Sequence, residues 1–415
     1  MARSWCVFLH KKGLTVTEHP TPPMSTTPLI CHFEAIDTWF FREARPHGSV
    51  GNSELGSVFP PPVRTLVGAL RTLIGDAWFK RHGGNWHGFA NNKALQAIIG
   101  MGDDLGSLRC SGPFLSLNGE RLYSAPANLM VKESEGKKHY FLLDLGSPVQ
   151  CDLGSVYLPS FPSKVAGLNE FVGSKPAEQC WLSSAGWQQV LQGQAPQAID
   201  VISKEQLFDE EARLGIGRDN ARKSVQEGLL YQTRHLRLRP GVSVQLHLDG
   251  LQDASLLPTQ TTLRLGGEGR MASLHIEASR ANPACPSVKI PPQAKAFALY
   301  ALTAAPCAEA LPAGIPSGFQ PVQHNGADVW EGEVGQQRLR ILSACCTRVL
   351  REGGWDMANH QARPVQSLLA AGSVLYVQNL GDTAFDPQAL RHLTDATGRA
   401  LFVAGLLPTH STFKG

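Results

Sequence analysis

Residues 228–250 read GLLYQTRHLRLRPGVSVQLHLDG. Leu230, Gln232, Arg234, Leu236 and Leu238 alternate with Tyr231, Thr233, His235, Arg237 and Arg239. Such two-residue alternation sends successive side chains to opposite faces of a strand. Pro240-Gly241 then turns the chain, and Val242, Val244, Leu246 and Leu248 alternate again. The pattern predicts a β-hairpin, and the hairpin decides how the flanking elements are read.

Upstream, PLICHFEAIDTWFF (28–41) is rich in β-formers and reads as a strand leading into a loop. Prolines 60–62 hand over to VRTLVGALRTLIGDAWFKRH, where Val63, Leu66, Val67, Leu70, Ile74 and Trp78 fall at helical spacing. Downstream lie a short turn-like segment, DASLLPTQTTLRL (253–265), the glycine loop GGEGR (266–270) and the strand MASLHIEA (271–278). Strand, helix, hairpin, short helix, glycine loop, strand is the β-α-β-β-α-β order of a ferredoxin-like fold. Residues from about 84 to 210 show no clear period and read as a large insertion.

After the Pro-rich linker 281–292 the same order recurs in degraded form. AKAFALYALTA, QRLRILSACC and GSVLYVQNL read as strands, and RALFVAGLL as a last one. DPQALRHLTDATG reads as a helix with Asp386 as N-cap and Gly398 as stop. The expected architecture is α+β. It has a disordered leader (1–27), an N-terminal ferredoxin-like domain (28–280, insertion about 84–210) and a C-terminal ferredoxin-like domain (293–415). Two domains suit 415 residues, and 41 glycines with 28 prolines suit many turns.

A net charge of +3 makes any nucleic-acid site a local patch, not a uniformly basic surface. One such patch is plain in the chain. Residues 213–241 hold Arg213, Arg218, Arg222, Lys223, Arg234, Arg237 and Arg239, with only Asp219 and Glu227 against them. Arg237 and Arg239 share a strand face with Tyr231 and His235, an arrangement suited to phosphate pairing and base stacking. The bland reading of that face is the polar exterior of a half-buried hairpin. Gly266, Gly267 and Gly269 let backbone approach a phosphate closely, and Arg270 can pair with it. The bland reading there is a tight turn. FFREARPHG adds Arg42 and Arg45, while Trp39, Phe40 and Phe41 read as core.

Catalytic and metal signatures are missing. The fourteen histidines form no H-E-x-x-H, and there is no G-x-S-x-G or Walker loop. Asp103-Asp104 and Glu210-Glu211 read as solvated pairs. No catalytic residue, metal or cofactor is expected. Nine cysteines without a C-x-x-C suit free thiols in a reducing cytoplasm. No apolar run reaches the roughly 18 residues of a membrane span, and Trp5–Leu9 is too short for a signal peptide.

Five motifs in this order carry a resemblance: HFEAIDTWFFREARPHG, FPPPVRTLVGALR, RLGIGRDNARKSVQEGLLYQTRHLRLRPGV, LRLGGEGR and GGWDMANHQARPVQSLLAAGSVLYV. Over roughly residues 30–380 the chain resembles the RAMP-superfamily third subunit of the Cmr module in type III-B CRISPR effector complexes. The resemblance implies tandem ferredoxin-like domains and a non-catalytic subunit holding the 5′ tag of the CRISPR RNA. It implies contacts with the large polymerase-like subunit and the adjacent backbone RAMP subunit, and a cytoplasmic location. The RNA-binding candidates are then Arg42, Arg45, Arg213, Arg218, Arg222, Lys223, Tyr231, His235, Arg237, Gly266, Gly267, Gly269 and Arg270. The leader before residue 28 is extra, and the last segment matches the family loosely. Two alternatives stand beside this reading. One is a metal-independent endoribonuclease that processes repeat RNA, with His47 or His235 as acid or base. The other is a protein-only scaffold whose arginines dock an acidic partner.

Overall fold

The computed structural model describes residues 27–44, 54–152, 154–165, 170–219, 221–279, 285–307, 315–356 and 361–408. Arg45, His47 and all but the last residue of the expected leader lie outside this range. The protein is a mixed α/β structure, rich in strands and poor in helices, built on two eight-stranded sheets.

The first sheet runs Val201–Ser203, Cys180–Leu182, Glu120–Ser124, Arg109–Leu117, Val242–Asp249, Leu29–Ala35, Met271–Ala278, Gln260–Arg264. Leu29–Ala35 lies antiparallel to both neighbours, with Cys31 opposite Leu246 on one side and Ile276 on the other. Its inward residues Cys31 and Phe33 pack with Val244, Leu246 and Leu274. The helix Val63–His82 covers that face with Leu66, Leu70 and Ile74, as its spacing predicts. No side chain caps its N-terminus; Lys80, Arg81 and His82 in its last turn complement the helix dipole.

The hairpin expected over residues 228–250 does not form. Pro240-Gly241 does turn the chain, with Val242 N donating to Arg239 O at 3.1 Å. The two strands then part. Val242–Asp249 pairs with Arg109–Leu117 and Leu29–Ala35. Ser224–Leu238 pairs instead with Phe208–Asp219, in a long antiparallel ribbon outside the sheet. The physical reason is desolvation. Every residue from Val242 to Leu248 is buried, and none is charged. A strand carrying Arg234 and Arg237 cannot enter a sheet centre at that cost. Arg109–Leu117, from within the segment read as an insertion, takes the place expected of the hairpin's first strand. The turn-like segment 253–265 is also more than a turn. It is a 3-10 turn, Ala254–Leu256, followed by the edge strand Gln260–Arg264.

The second sheet runs Phe402–Gly405, Ala296–Ala301, Val374–Asn379, Gln337–Cys345, Ala327–Val334, Gly154–Ser160, Asp144–Cys151, with Phe319–His324 beside Ala327–Val334. The strands read from sequence in this half are present. The expected helix is a 3-10 helix, Pro387–Leu393, whose N-cap Asp386 accepts from Gln388 N at 2.9 Å. The hairpin 144–160, expected inside the first domain's insertion, joins this second sheet through Ala327 opposite Ser155. No helix among the described residues is long and apolar enough to cross a membrane.

Buried Tyr376 ties the second sheet to the segment 128–143. Its hydroxyl donates to Leu143 O at 2.6 Å and accepts from Asn128 Nδ2 at 3.2 Å. Tyr376→Phe leaves the Leu143 carbonyl without this donor inside the core. We expect urea unfolding to show a loss of about 1–3 kcal/mol; unchanged stability would mean the bond contributes nothing net.

Candidate nucleic-acid interface

The site is built on the loop after the first strand. Trp39 N donates to Leu236 O at 2.9 Å, and Leu236 N returns a bond to Trp39 O at 2.8 Å. Trp39, Phe40 and Phe41 are buried, as core residues. His235 stacks on Phe40 at 5.2 Å with 14° between the rings. Its ring nitrogens hydrogen-bond with Thr38 Oγ1 at 3.2 Å and Thr233 Oγ1 at 3.1 Å. With 1% exposure it cannot stack on a nucleobase, against its expected role. Burial first, then the charges of Arg213 and Arg270, push its imidazole down to about 4.

The ribbon register sets the rest. Asp209 lies opposite Arg237, Glu211 opposite His235 and Arg213 opposite Thr233, so all share one face. Three guanidinium groups converge there on the loop's Asp37. Arg237 Nη2 lies 2.9 Å from Asp37 Oδ1, while Arg213 Nη2 and Arg270 Nη1 each lie 3.2 Å from Oδ2. Glu211 accepts from Arg213 at 3.1 Å and from Arg237 Nε. Hydrogen bonds from Arg237 and Arg213 hold the Asp37 carboxyl below its ordinary range. Arg239 pairs with Asp209 at 2.9 Å. On the other ribbon face Arg234 pairs with Glu54 and with Glu210 at 3.1 Å, and Lys204 reaches Glu210 at 2.6 Å.

These pairs correct the charge reading. Asp37, Glu54, Asp209, Glu210 and Glu211 oppose the arginines here, and the side chains of Asp219 and Glu227 lie outside the described set. Glu210 and Glu211 are not spare solvated charges, and Asp103 pairs with Arg363 at 2.9 Å. The missed signal was the two-residue period of FDEEARLGIGRD, which puts Asp209, Glu211 and Arg213 on one face. Nothing in the sequence pointed to Asp37.

The glycine loop docks on the same platform. Gly267 N donates to Phe40 O at 2.8 Å, and Leu265 N to Arg270 O at 2.9 Å. A Cβ on Gly266 would stand 2.6 Å from Phe40 O, at φ +86°. Glycine is what lets this turn press against the loop and present Arg270 beside Asp37. The loop is a tight turn, and it still places Arg270 in the cluster.

The other candidates lie apart. Arg222 and Lys223 are exposed at the ribbon's far turn, and Arg218 stands near it opposite Val225. Five strand steps separate Arg218 from Arg213, roughly 17 Å. The side chain of Arg218 is outside the described set. Tyr231 is half-buried and lies over Gly215, so its own ribbon covers part of the ring. Arg42 is exposed, with its backbone bridged to Ser57.

A cleft of about 810 Å³ opens on the outer face of the first sheet. Its lining includes His32, Glu34, Arg121, His275 and Glu277. Arg121 is engaged by His247 and by Gln245. Two carboxylates against one engaged guanidinium do not suit a polyanion, so the arginine platform is the better candidate. Among the described residues no cluster of His, Cys, Asp or Glu could hold a metal ion.

The sequence profile of the CRISPR-associated protein family Cas_Cmr3 matches residues 31–399. The chain belongs to that family. No curated protein matches it. Among solved structures, a chain of the type III-B Cmr-beta complex bound to cognate target RNA and AMPPnP is similar at 14% identity, covering 84% of this chain and 86% of that one, with a TM-score of 0.45. A chain of the Csm3-Csm4 subcomplex of the type III-A CRISPR-Cas interference complex is similar at 9% identity, covering 87% and 100%, with a TM-score of 0.35.

The buried imidazole gives a pH test. His235 folds with its pKa near 4, below the 6.5 of the free side chain. Between those values the unfolded chain binds more protons, so stability is full above about pH 6.5 and falls as pH drops toward 4. His247, pushed down to about 3 mainly by burial, acts in the same direction. His235→Phe keeps the ring stack and removes the proton site. Urea unfolding from about pH 7 to 4.5 is expected to lose about 1–3 kcal/mol less in the variant; parallel profiles would show that His235 does not carry this dependence.

Proposed function

We propose that this Cas_Cmr3-family chain is a non-catalytic RNA-binding subunit of a type III-B CRISPR effector complex. It holds the 5′ tag of the CRISPR RNA and bridges the large polymerase-like subunit to the adjacent backbone RAMP subunit. The observation that carries the reading is the convergence of Arg213, Arg237 and Arg270 from three segments onto one point, beside a glycine turn. Planar guanidinium forks match the paired oxygens of a phosphate. The ribbon carries Arg222 and Lys223 farther out, where a strand of RNA leaving the platform would pass.

The strand orders support two ferredoxin-like units. Met271–Ala278, Leu29–Ala35, Val242–Asp249 and Arg109–Leu117 lie side by side and antiparallel, the fourth, first, third and second strands of such a unit. Phe402–Gly405, Ala296–Ala301, Val374–Asn379 and Gln337–Cys345 repeat that order. In both units the second helix is reduced to a 3-10 element, Ala254–Leu256 and Pro387–Leu393. The buried state of His235 disfavours the endoribonuclease alternative, in which it was one of two candidate groups.

The test is an affinity pulldown from the native host, with the co-purifying RNA sequenced and the proteins identified. Small RNAs sharing one repeat-derived 5′ end, together with a large polymerase-like subunit, are expected. The double variant Arg237→Ala/Arg270→Ala is expected to stay folded and to weaken RNA binding by about 1–3 kcal/mol per lost charge-assisted bond. Proteins without RNA in the pulldown, or unchanged RNA affinity in the variant, would assign the arginines to an acidic protein partner instead.

A further inference from the structure

The platform arginines are not empty-handed. Asp37 is the point at which all three meet, and it belongs to none of their segments. We infer that Asp37 is a built-in stand-in for an RNA phosphate, and that a phosphodiester group displaces it on binding. The inference rests on the RNA-binding reading above.

Four observations carry it. First, the carboxylate presents two acceptor oxygens to three guanidinium groups, Oδ1 to Arg237 and Oδ2 to Arg213 and Arg270. The non-bridging oxygens of a phosphodiester carry the same charge and the same pair of acceptors. Second, Asp37 can leave. Its side chain is 47% exposed, and its neighbour Ile36 is 55% exposed. Its ion pairs are open to solvent and screened by it, so a phosphate that takes over the same three guanidinium groups can replace the carboxylate. Third, two of the three arginines keep a carboxylate partner when it leaves. Glu211 still holds Arg213 and Arg237 from the same ribbon face. The loop keeps its place through the Trp39–Leu236 bonds, not through the carboxylate. Fourth, the glycine turn that presents Arg270 is fixed by Gly267 N to Phe40 O, again without Asp37.

A stand-in anion has a definite consequence. It competes with every phosphate, so it keeps weakly placed RNA off the platform and lets well-placed RNA on. Removing its charge should therefore tighten binding, where removal of a merely supporting residue would loosen it.

The test uses the full chain and a short, fluorescently labelled oligouridine, titrated at several salt concentrations. Asp37→Asn keeps the side-chain shape and drops the charge. It is expected to bind about three- to tenfold tighter than the unmodified chain at low salt. The log–log salt slope should steepen by up to about 0.7, one more neutralised phosphate on a single strand. Asp37→Glu keeps the charge and should bind within about twofold of the unmodified chain. Weaker or unchanged binding by Asp37→Asn, with the unmodified chain binding normally, would overturn the stand-in and make Asp37 a positioning residue. If neither chain binds, and Arg237→Ala/Arg270→Ala changes nothing, the RNA-binding reading itself fails, and this inference with it.

Discussion

Two reciprocal backbone hydrogen bonds, Trp39 N to Leu236 O and Leu236 N to Trp39 O, join the loop after the first strand to the ribbon. The rest of the site follows from that joint. It brings Asp37 within reach of Arg213 and Arg237, whose strands lie outside the sheet altogether. It sets Phe40 under His235, and the carbonyl of Phe40 then receives Gly267. Three segments far apart in sequence meet at one point because the loop between them is pinned by its own backbone. The buried Trp39, Phe40 and Phe41 supply the apolar anchorage that keeps the joint dry.

The electrostatics have a different character from the packing. Each exposed ion pair on the ribbon contributes little to stability by itself. Their value lies in order: the carboxylates hold long, flexible arginines in fixed directions before any partner arrives. The chain as a whole carries only +3, and its platform is nearly balanced by its own acids. Such a surface does not attract polyanions from a distance by sheer charge. On the proposed reading it selects for a ligand whose acceptors fit where carboxylate oxygens already sit.

Much of this fold was legible because periodicity reports which face a residue occupies. The helix at 63–82, the strands at 29–35 and 271–278 and most of the second sheet follow from that rule. Partner choice was not legible. Alternation continues on both sides of Pro240-Gly241, and a two-residue turn between alternating runs reads as a hairpin. The distinguishing feature is charge: residues 242–248 carry none, while the preceding strand carries two arginines. Burying the guanidinium groups of Arg234 and Arg237 at the position of Val242–Leu248 costs more than a backbone ladder there returns. Phe208–Asp219 escaped because Gly215, Gly217 and its charges lower strand propensity, which the long register with Ser224–Leu238 overrides. At the site, the arginines and the glycine turn were legible by composition. Asp37 was not, because its role depends on a contact more than 170 residues away in sequence.

The most direct measurement is photo-crosslinking of the assembled complex, with the cross-linked peptides located by mass spectrometry. RNA adducts are expected in the loop 36–42, along both ribbon strands and at the glycine turn 265–271. Adducts confined to the outer cleft of the first sheet, around His32 and His275, would contradict the assignment of the RNA to the arginine platform.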